Sequence, residues 1–230
     1  MIPFAAASAT TPTDIDLVKL CAAIYQDGSA WDYLDQGRDD GVYWALKRLD
    51  GCDVVVFRGS RTDQDWWRDI RFFPIPTRIG TVHHGFFEGI EKMWSELRSM
   101  LTQPVKITGH SLGAARAGNL CGLMITDGMP PIRRVVFGEP KIGWPDFCQL
   151  VAQIPAGTYC NRDAYGHDEV TDVPFDFPHC LDFGRPTPLI DVTDPPSLIE
   201  RVDPLFDYHH IQHYQAALAA FFQPHQEQLQ

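Results

Sequence analysis

Several features that would assign a protein to a specialised class are absent from this sequence. It has no run of roughly 18 or more apolar residues, so no segment is expected to span a membrane as a helix. It has no cluster of basic residues to follow a phosphate backbone, which argues against nucleic acid as the main partner. The six cysteines form no CxxC pair, so we predict no zinc site and no other metal.

Positive charge is scarce as well. The chain has 19 Lys and Arg against 30 Asp and Glu, which gives a net charge of −11. We interpret the acidic residues as a solvated surface, and this charge gives no attraction to anionic lipid. The N-terminal residues lack the positive charge and the long apolar stretch of a secretory signal, which predicts a cytoplasmic protein.

The remaining composition is that of a folded protein. The chain has 230 residues, of which 44% are hydrophobic and 21% charged, and this is enough material for one well-packed core. We expect a single domain over residues 1–230, with flexible tails at residues 1–12 and 223–230.

Helix and strand patterns alternate along the chain. Apolar spacing predicts helices over residues 14–26, 86–101 and 209–222, and another helix that opens just after residue 111. Short β-branched or alternating runs predict strands over residues 42–48, 53–57, 105–108, 134–137 and 157–160. Loops are expected over residues 60–82 and 161–184. This alternation predicts an α/β fold with a mostly parallel central sheet flanked by helices.

One short motif points to chemistry. Residues 109–113 (GHSLG) follow a predicted strand and open into a predicted helix. A G-x-S-x-G turn in that context is a nucleophile elbow, which holds its serine in a strained conformation clear of the sheet edge. We therefore predict that Ser111 is a nucleophile. The amide of Leu112, at the helix N-terminus, is predicted to bind a developing oxyanion.

A serine hydroxyl needs a base to take its proton, and the base is commonly a histidine oriented by a carboxylate. In elbow enzymes the chain order is serine, acid, histidine. That order leaves several candidates open. The acids are Asp163, Asp168, Asp172 and Asp176, and the histidines are His179, His209, His210, His213 and His225.

Six blocks of sequence, in this order, resemble the class 3 lipase family, which includes fungal triacylglycerol lipases. They are residues 54–69 (VVVFRGSRTDQDWWRD), 82–86 (VHHGF), 107–115 (ITGHSLGAA), 137–143 (FGEPKIG), 168–174 (DEVTDVP) and 209–214 (HHIQHY). Lys141 stands where the family has arginine. The blocks extend over most of the chain, and their order is more specific than any one of them.

The resemblance implies an α/β-hydrolase fold and a serine ester hydrolase that acts on lipid or acylglycerol esters. It implies Ser111 as nucleophile, Asp168 as acid and His209 as base, and it implies no cofactor. It also implies that Ser60, after Arg58 and Gly59, supplies the second oxyanion donor through its amide and hydroxyl.

Residues 61–73 occupy the position of the family's lid. This short segment carries Trp66 and Trp67, and two interpretations stay open. It can be an amphipathic lid that covers the acyl groove and contacts a lipid surface transiently. Alternatively, the tryptophans pack on the core, as aromatic side chains usually do.

Other functions remain compatible with the same residues. An esterase for short soluble esters or a phospholipase would use the same triad, and an acyltransferase would resolve the acyl-enzyme with an alcohol. A non-catalytic lipid-binding module is the alternative from another class. The intact candidate triad weighs against that last alternative.

Overall fold

A seven-stranded sheet organises the protein, which we describe from a computed structural model. The structure describes residues 11–26, 29–38, 41–60, 73–163, 166–174, 182–193 and 209–222. The strands are β1 (Tyr33–Gln36), β2 (Tyr43–Leu49), β3 (Cys52–Phe57), β4 (Pro74–Thr77), β5 (Gly80–His83), β6 (Val105–His110), β7 (Arg133–Phe137), β8 (Ala156–Asn161) and β9 (Ile190–Val192). The large sheet has the order β1-β2-β3-β6-β7-β8-β9, and β4 and β5 form a separate hairpin.

Most of the large sheet is parallel. β1, β2 and β3 form an antiparallel meander at one side. From β3 onwards, each of β6, β7, β8 and β9 runs parallel to its neighbour. The predicted α/β fold with a mostly parallel sheet is therefore confirmed. Because parallel strands share a direction, their carboxyl ends meet at one edge of the sheet, where sites in such folds are built.

Helices cover both faces of the sheet. They are α1 (Asp14–Ala23), α2 (His84–Phe87), α3 (Ile90–Leu97), α4 (Leu112–Thr126), α5 (Pro145–Val151) and α6 (Ile211–Phe221). α1 and α6 pack on one face with Val54 and Val56, and α2 to α5 pack on the other with Val55 and Phe57. Successive side chains of a strand point to opposite faces, so β3 must be apolar at every one of these positions. None of the described helices is long and apolar enough to cross a bilayer.

The structure corrects several element boundaries. The predicted loop over residues 60–82 contains the β4–β5 hairpin, and β1 and β9 were missed because they are short strands with polar residues. The helix predicted over residues 86–101 is two helices, because Gly89 between them has a φ of 80°. The last helix begins at Ile211, two residues later than expected. Pro12, placed in the flexible tail, is buried, and its carbonyl accepts a hydrogen bond from Nζ of Lys106 at 2.7 Å.

A buried ion pair holds the loop that follows β7. Arg134 and Glu139 are 1% and 0% exposed and form a salt bridge. The guanidinium of Arg134 also donates to the hydroxyls of Thr158 and Thr187, and Nε of Arg185 donates to the main-chain carbonyl of Glu139. The loop is therefore held through both the side chain and the main-chain carbonyl of Glu139.

Removal of one partner should leave the other charge buried without compensation. We expect Arg134→Ala to lower the free energy of unfolding by about 3–5 kcal/mol, measured by urea denaturation. Arg133→Ala, which removes a more exposed pair with Asp14, is the control and should cost about 1 kcal/mol or less. Equal losses in the free energy of unfolding for the two variants would show that the buried pair contributes no more to stability than the exposed one.

Candidate active site

Three of the predicted site residues follow strands β3, β6 and β8 at the carboxyl edge of the sheet. The register pairs Phe57 of β3 with Gly109 of β6, and His110 of β6 with Phe137 of β7. Ser60 comes three residues after the end of β3, and Ser111 follows β6 directly. The amide of Asp168 donates to the carbonyl of Asn161, the last residue of β8, at 2.9 Å.

Ser111 has the backbone of a nucleophile elbow. Its φ of 59° and ψ of −126° make it the one non-glycine residue with positive φ in the described part of the chain. Such a conformation costs of order 1–3 kcal/mol and persists only where the surroundings fix it. Here the amide of Ser111 donates to the carbonyl of Phe137 at 3.0 Å, and α4 starts at the next residue. The sequence-predicted turn is present.

Asp168 and His209 form a buried pair. Nδ1 of His209 lies 2.8 Å from Oδ2 of Asp168, and the two side chains are 2% and 0% exposed. Oδ2 also accepts a hydrogen bond from the hydroxyl of Tyr214 at 2.6 Å, and Oδ1 accepts one from the amide of Val170 at 2.9 Å. The carboxylate therefore has three donors from three separate parts of the chain.

These donors keep Asp168 ionised. Burial alone would raise the pKa of this carboxyl, but the charge and hydrogen bond of His209 and the hydrogen bond of Tyr214 outweigh it and hold the pKa below its ordinary value of 3.8. Burial and the neighbouring Asp168 raise the pKa of Tyr214 well above its ordinary value, so its hydroxyl keeps its proton and donates. An ionised carboxylate only accepts, so Nδ1 of His209 carries the shared proton.

The other ring nitrogen of His209 is free to act as a base. Nε2 is buried and has no hydrogen-bond partner among the residues that the structure describes. The ring of His209 lies 4.6 Å, between centroids, from the ring of His110, the residue directly before Ser111. A neutral imidazole protonated at Nδ1 presents a lone pair on Nε2, which suits it to take a proton from a neighbouring hydroxyl.

The competing acids contact other groups. Asp172 pairs with Nε2 of His167 at 2.7 Å, and its side chain is 47% exposed. Asp163 accepts a hydrogen bond from the amide of Gly166 and thereby closes a turn. Asp176 lies outside the described residues. Within the described part of the chain, Asp168 is the acid that contacts a candidate histidine base.

The competing histidines differ from His209 in burial. His210 is exposed and is the N-cap residue of α6, and His213 is half-buried on the same helix. The expectation that His209 lies at the start of the last helix is wrong by two residues, because α6 begins at Ile211. His179 and His225 lie outside the described residues.

The predicted oxyanion donors flank Ser111. Leu112 is half-buried. Because it is the first residue of α4, its amide has no partner within the helix. Ser60 is half-buried and follows Gly59, where an added Cβ would lie 3.0 Å from Cβ of Ser111. The backbone around Ser60, which follows β3, thus lies against the elbow, which follows β6. Trp66 and Trp67 lie outside the described residues.

Two residues of this site were not predicted from the sequence. Tyr214 was used only for motif spacing, although its hydroxyl binds Asp168 directly. Gly138, directly after β7, has a φ of 59°, and a Cβ there would lie 2.6 Å from Oδ2 of Asp168 and 3.0 Å from Nδ1 of His209. Its place in the block FGEPKIG was the available signal.

In the described ranges, no cluster of three or more His, Cys, Asp or Glu side chains could hold a metal ion.

This chain is similar in sequence to known lipases over about half of its length. The model of one sequence family, Lipase (class 3), matches residues 54–177, more than half of the chain. A lipase of Caenorhabditis elegans is 31% identical over an alignment of 134 residues that covers 53% of this chain and 37% of that protein. A lipase of Rhizomucor miehei is 31% identical over an alignment of 136 residues that covers 52% of this chain and 37% of that protein. The aligned part thus spans little more than a third of each relative.

Solved structures agree on the fold. The Rhizomucor miehei triacylglyceride lipase superposes with a TM-score of 0.59 at 21% identity, over 77% of each chain. A triacylglycerol lipase, described as having a serine protease triad at its catalytic centre, superposes with a TM-score of 0.60 at 20% identity, over 86% of this chain and 89% of that one. The expected α/β-hydrolase fold is confirmed by this likeness.

Gly138 is a sensitive position because a side chain there would enter the Asp168–His209 pair. We expect Gly138→Ala to weaken or remove the low-field proton resonance of Nδ1 of His209, measured by NMR, and to destabilise the fold by about 2–4 kcal/mol. Gly128→Ala is a matched control: its φ of 74° is similar, but a Cβ there would meet nothing within 4 Å. An unchanged resonance in Gly138→Ala would refute the packing argument.

The lowered pKa of Asp168 predicts a pH-dependent contribution to stability. The folded-state pKa lies below the ordinary value of 3.8, so the ionised carboxylate stabilises the fold above about pH 4 and this stabilisation is lost as the pH falls. The difference in free energy of unfolding between the wild type and Asp168→Asn should be largest near neutral pH and shrink below about pH 4. A difference that grows on acidification would contradict the assignment.

Proposed function

The chain belongs to the class 3 lipase family, and on that premise we propose that it is a serine ester hydrolase for carboxylic esters of lipids or acylglycerols. The observation that carries the proposal is the buried 2.8 Å contact between His209 and Asp168, in which the ring of His209 packs on His110, the residue before the strained Ser111. An activated serine requires such an arrangement, whereas a lipid-binding module would have no use for an ionised carboxylate at the edge of its groove.

The first half of the reaction forms an acyl-enzyme. Nε2 of His209 takes the proton of Ser111, and Oγ attacks the ester carbonyl carbon. The carbonyl oxygen becomes an oxyanion, which the amides of Ser60 and Leu112 stabilise together with the Ser60 hydroxyl. Two such donors contribute several kcal/mol to the transition state. Asp168 stays ionised and stabilises the imidazolium that forms.

The second half restores the enzyme. The imidazolium of His209 gives its proton to the leaving alkoxide, which departs as an alcohol when the tetrahedral intermediate collapses. A water molecule then enters, His209 takes one of its protons, and the hydroxide attacks the acyl carbonyl carbon. Collapse of the second intermediate releases the carboxylic acid and returns the proton to Ser111.

The proposal also assigns a lid to residues 61–73, with Trp66 and Trp67 as substrate-facing residues. Phe73, the one residue of this segment that the structure describes, is 64% exposed. An exposed phenylalanine, six residues after two consecutive tryptophans in the sequence, supports an apolar surface suited to transient contact with a lipid interface. Ester substrate, and not nucleic acid, is the proposed partner.

Hydrolysis of 4-nitrophenyl esters from acetate to palmitate tests the reaction. The wild type should turn these esters over, and Ser111→Ala should lose on the order of 10⁴-fold or more in kcat/KM because the nucleophile is gone. Ser99→Ala is the matched control, since the Ser99 hydroxyl donates to the carbonyl of Glu96, one turn away, just after a helix that contributes no described residue of the site. Equal turnover by wild type and Ser111→Ala would refute the mechanism.

The chain-length profile then decides the substrate class. A preference for long acyl chains, with a rate increase once the ester is emulsified, supports a lipase with a working lid. A preference for acetate and butyrate without that increase identifies an esterase for soluble esters. Failure of Ser111 to react with a serine-directed phosphonate, in emulsion as in solution, would leave a non-catalytic lipid-binding module.

A further inference from the structure

A series of hydrogen bonds connects three parts of the proposed site through Tyr25, just after the end of α1. The main-chain amide of Gly59 donates to the hydroxyl of Tyr25 at 2.9 Å. That hydroxyl lies 2.9 Å from Nδ1 of His110, and Nε2 of His110 lies 2.6 Å from the main-chain carbonyl of His209. Tyr25 follows the C-cap of α1, so it lies outside the part of the chain that matches the family.

The direction of each hydrogen bond follows from elementary chemistry. A carbonyl oxygen only accepts, so Nε2 of His110 carries a proton and donates to His209. Burial, together with the nearby charge of His209, lowers the pKa of His110 to about 3, although the charge of Asp168 opposes this shift. His110 is therefore neutral near pH 7, its Nδ1 is an acceptor, and the hydroxyl of Tyr25 donates to it.

The same contacts fix the loop that carries Ser60. We call residues 58–60 the oxyanion loop. A Cβ on Gly59 would collide with the hydroxyl of Tyr25 and would lie 2.8 Å from the carbonyl of His110. The loop therefore rests on Tyr25 and on the elbow with no space for a side chain, and the amide–hydroxyl bond holds it there.

The same series of hydrogen bonds also fixes the position of His209. His209 lies directly before His210, the N-cap residue of α6. Its backbone carbonyl accepts the bond from Nε2 of His110, and its ring binds Asp168 through Nδ1. Two anchors, one on the backbone and one on the ring, determine where Nε2 points.

We propose that Tyr25 and His110 are positioning residues for the hydrolysis proposed above: Tyr25 holds the oxyanion loop, and the neutral His110 holds the backbone of His209 against the elbow. Neither residue touches the substrate. Both act on the relative placement of oxyanion donors, nucleophile and base, to which reaction rates are steeply sensitive, since a misplacement of about 1 Å can cost on the order of 100-fold.

The test of Tyr25 separates positioning from stability. Tyr25→Phe should lower kcat on 4-nitrophenyl butyrate on the order of 10-fold while KM changes less than about twofold, because the amide–hydroxyl bond is lost and the ring remains. Tyr159→Phe is the matched control. It also removes a buried hydroxyl, one that donates to Asp14 of α1 at 2.7 Å and makes no described hydrogen bond to Gly59, His110 or His209. Its kcat should stay that of the wild type at a similar loss in Tm.

Nitrogen-15 NMR of labelled histidines tests His110 without any assay of activity. His110 should carry its proton on Nε2 and show no titration between about pH 5 and 8, and Tyr25→Phe should shift the Nδ1 resonance. A proton on Nδ1, titration in that range, or equal kcat losses in Tyr25→Phe and Tyr159→Phe would overturn the proposal. A wild type that hydrolyses no ester would refute the proposed function instead, and the NMR result would still decide the state of His110.

Discussion

The buried carboxylate of Asp168 is the constraint on which the rest of this edge of the sheet depends. A charge with no exposed surface is tolerated only where donors replace its water, and here three donors do so. The amide of Val170 comes from the adjacent turn, the imidazole of His209 from the residues before α6, and the hydroxyl of Tyr214 from α6 itself. The final helix is therefore docked by the same contacts that orient the proposed base.

The same constraint explains the chain around it. A side chain at residue 138 would displace Oδ2 of Asp168, so the turn after β7 needs a glycine there. The next residue, Glu139, forms a buried salt bridge with Arg134, which holds the turn against the sheet. A buried salt bridge after β7 and a buried, hydrogen-bonded carboxylate after β8 thus lie at this edge of the sheet. Removal of Arg134, or of a donor to Asp168, would leave a carboxylate in the core without full compensation.

The features that sequence could predict are those with a local signal. The strands β3, β6 and β7 are buried along most of their length and contain short runs rich in β-branched residues, and the elbow at Ser111 has a motif that requires its glycines. Edge strands such as β1 and the Pro-containing β4 carry no such pattern, because one side of each faces away from the core. Asp168 and Asp172 are four residues apart with equivalent chemistry. Local chemistry does not distinguish them: the resemblance to the family selected Asp168, and the fold shows that Asp168 meets His209 whereas Asp172 meets His167.

Interactions between distant elements could not be predicted from local patterns at all, and His110 shows why they matter. Its ring lies 4.6 Å from that of His209, which must become an imidazolium during the proposed reaction. A second positive charge at that distance would oppose proton transfer, whereas Asp168 favours it. Burial of His110, with a donor to Nδ1 and an acceptor at Nε2, keeps this neighbour neutral. The site can therefore hold one new positive charge, and the surroundings determine that this charge forms on His209.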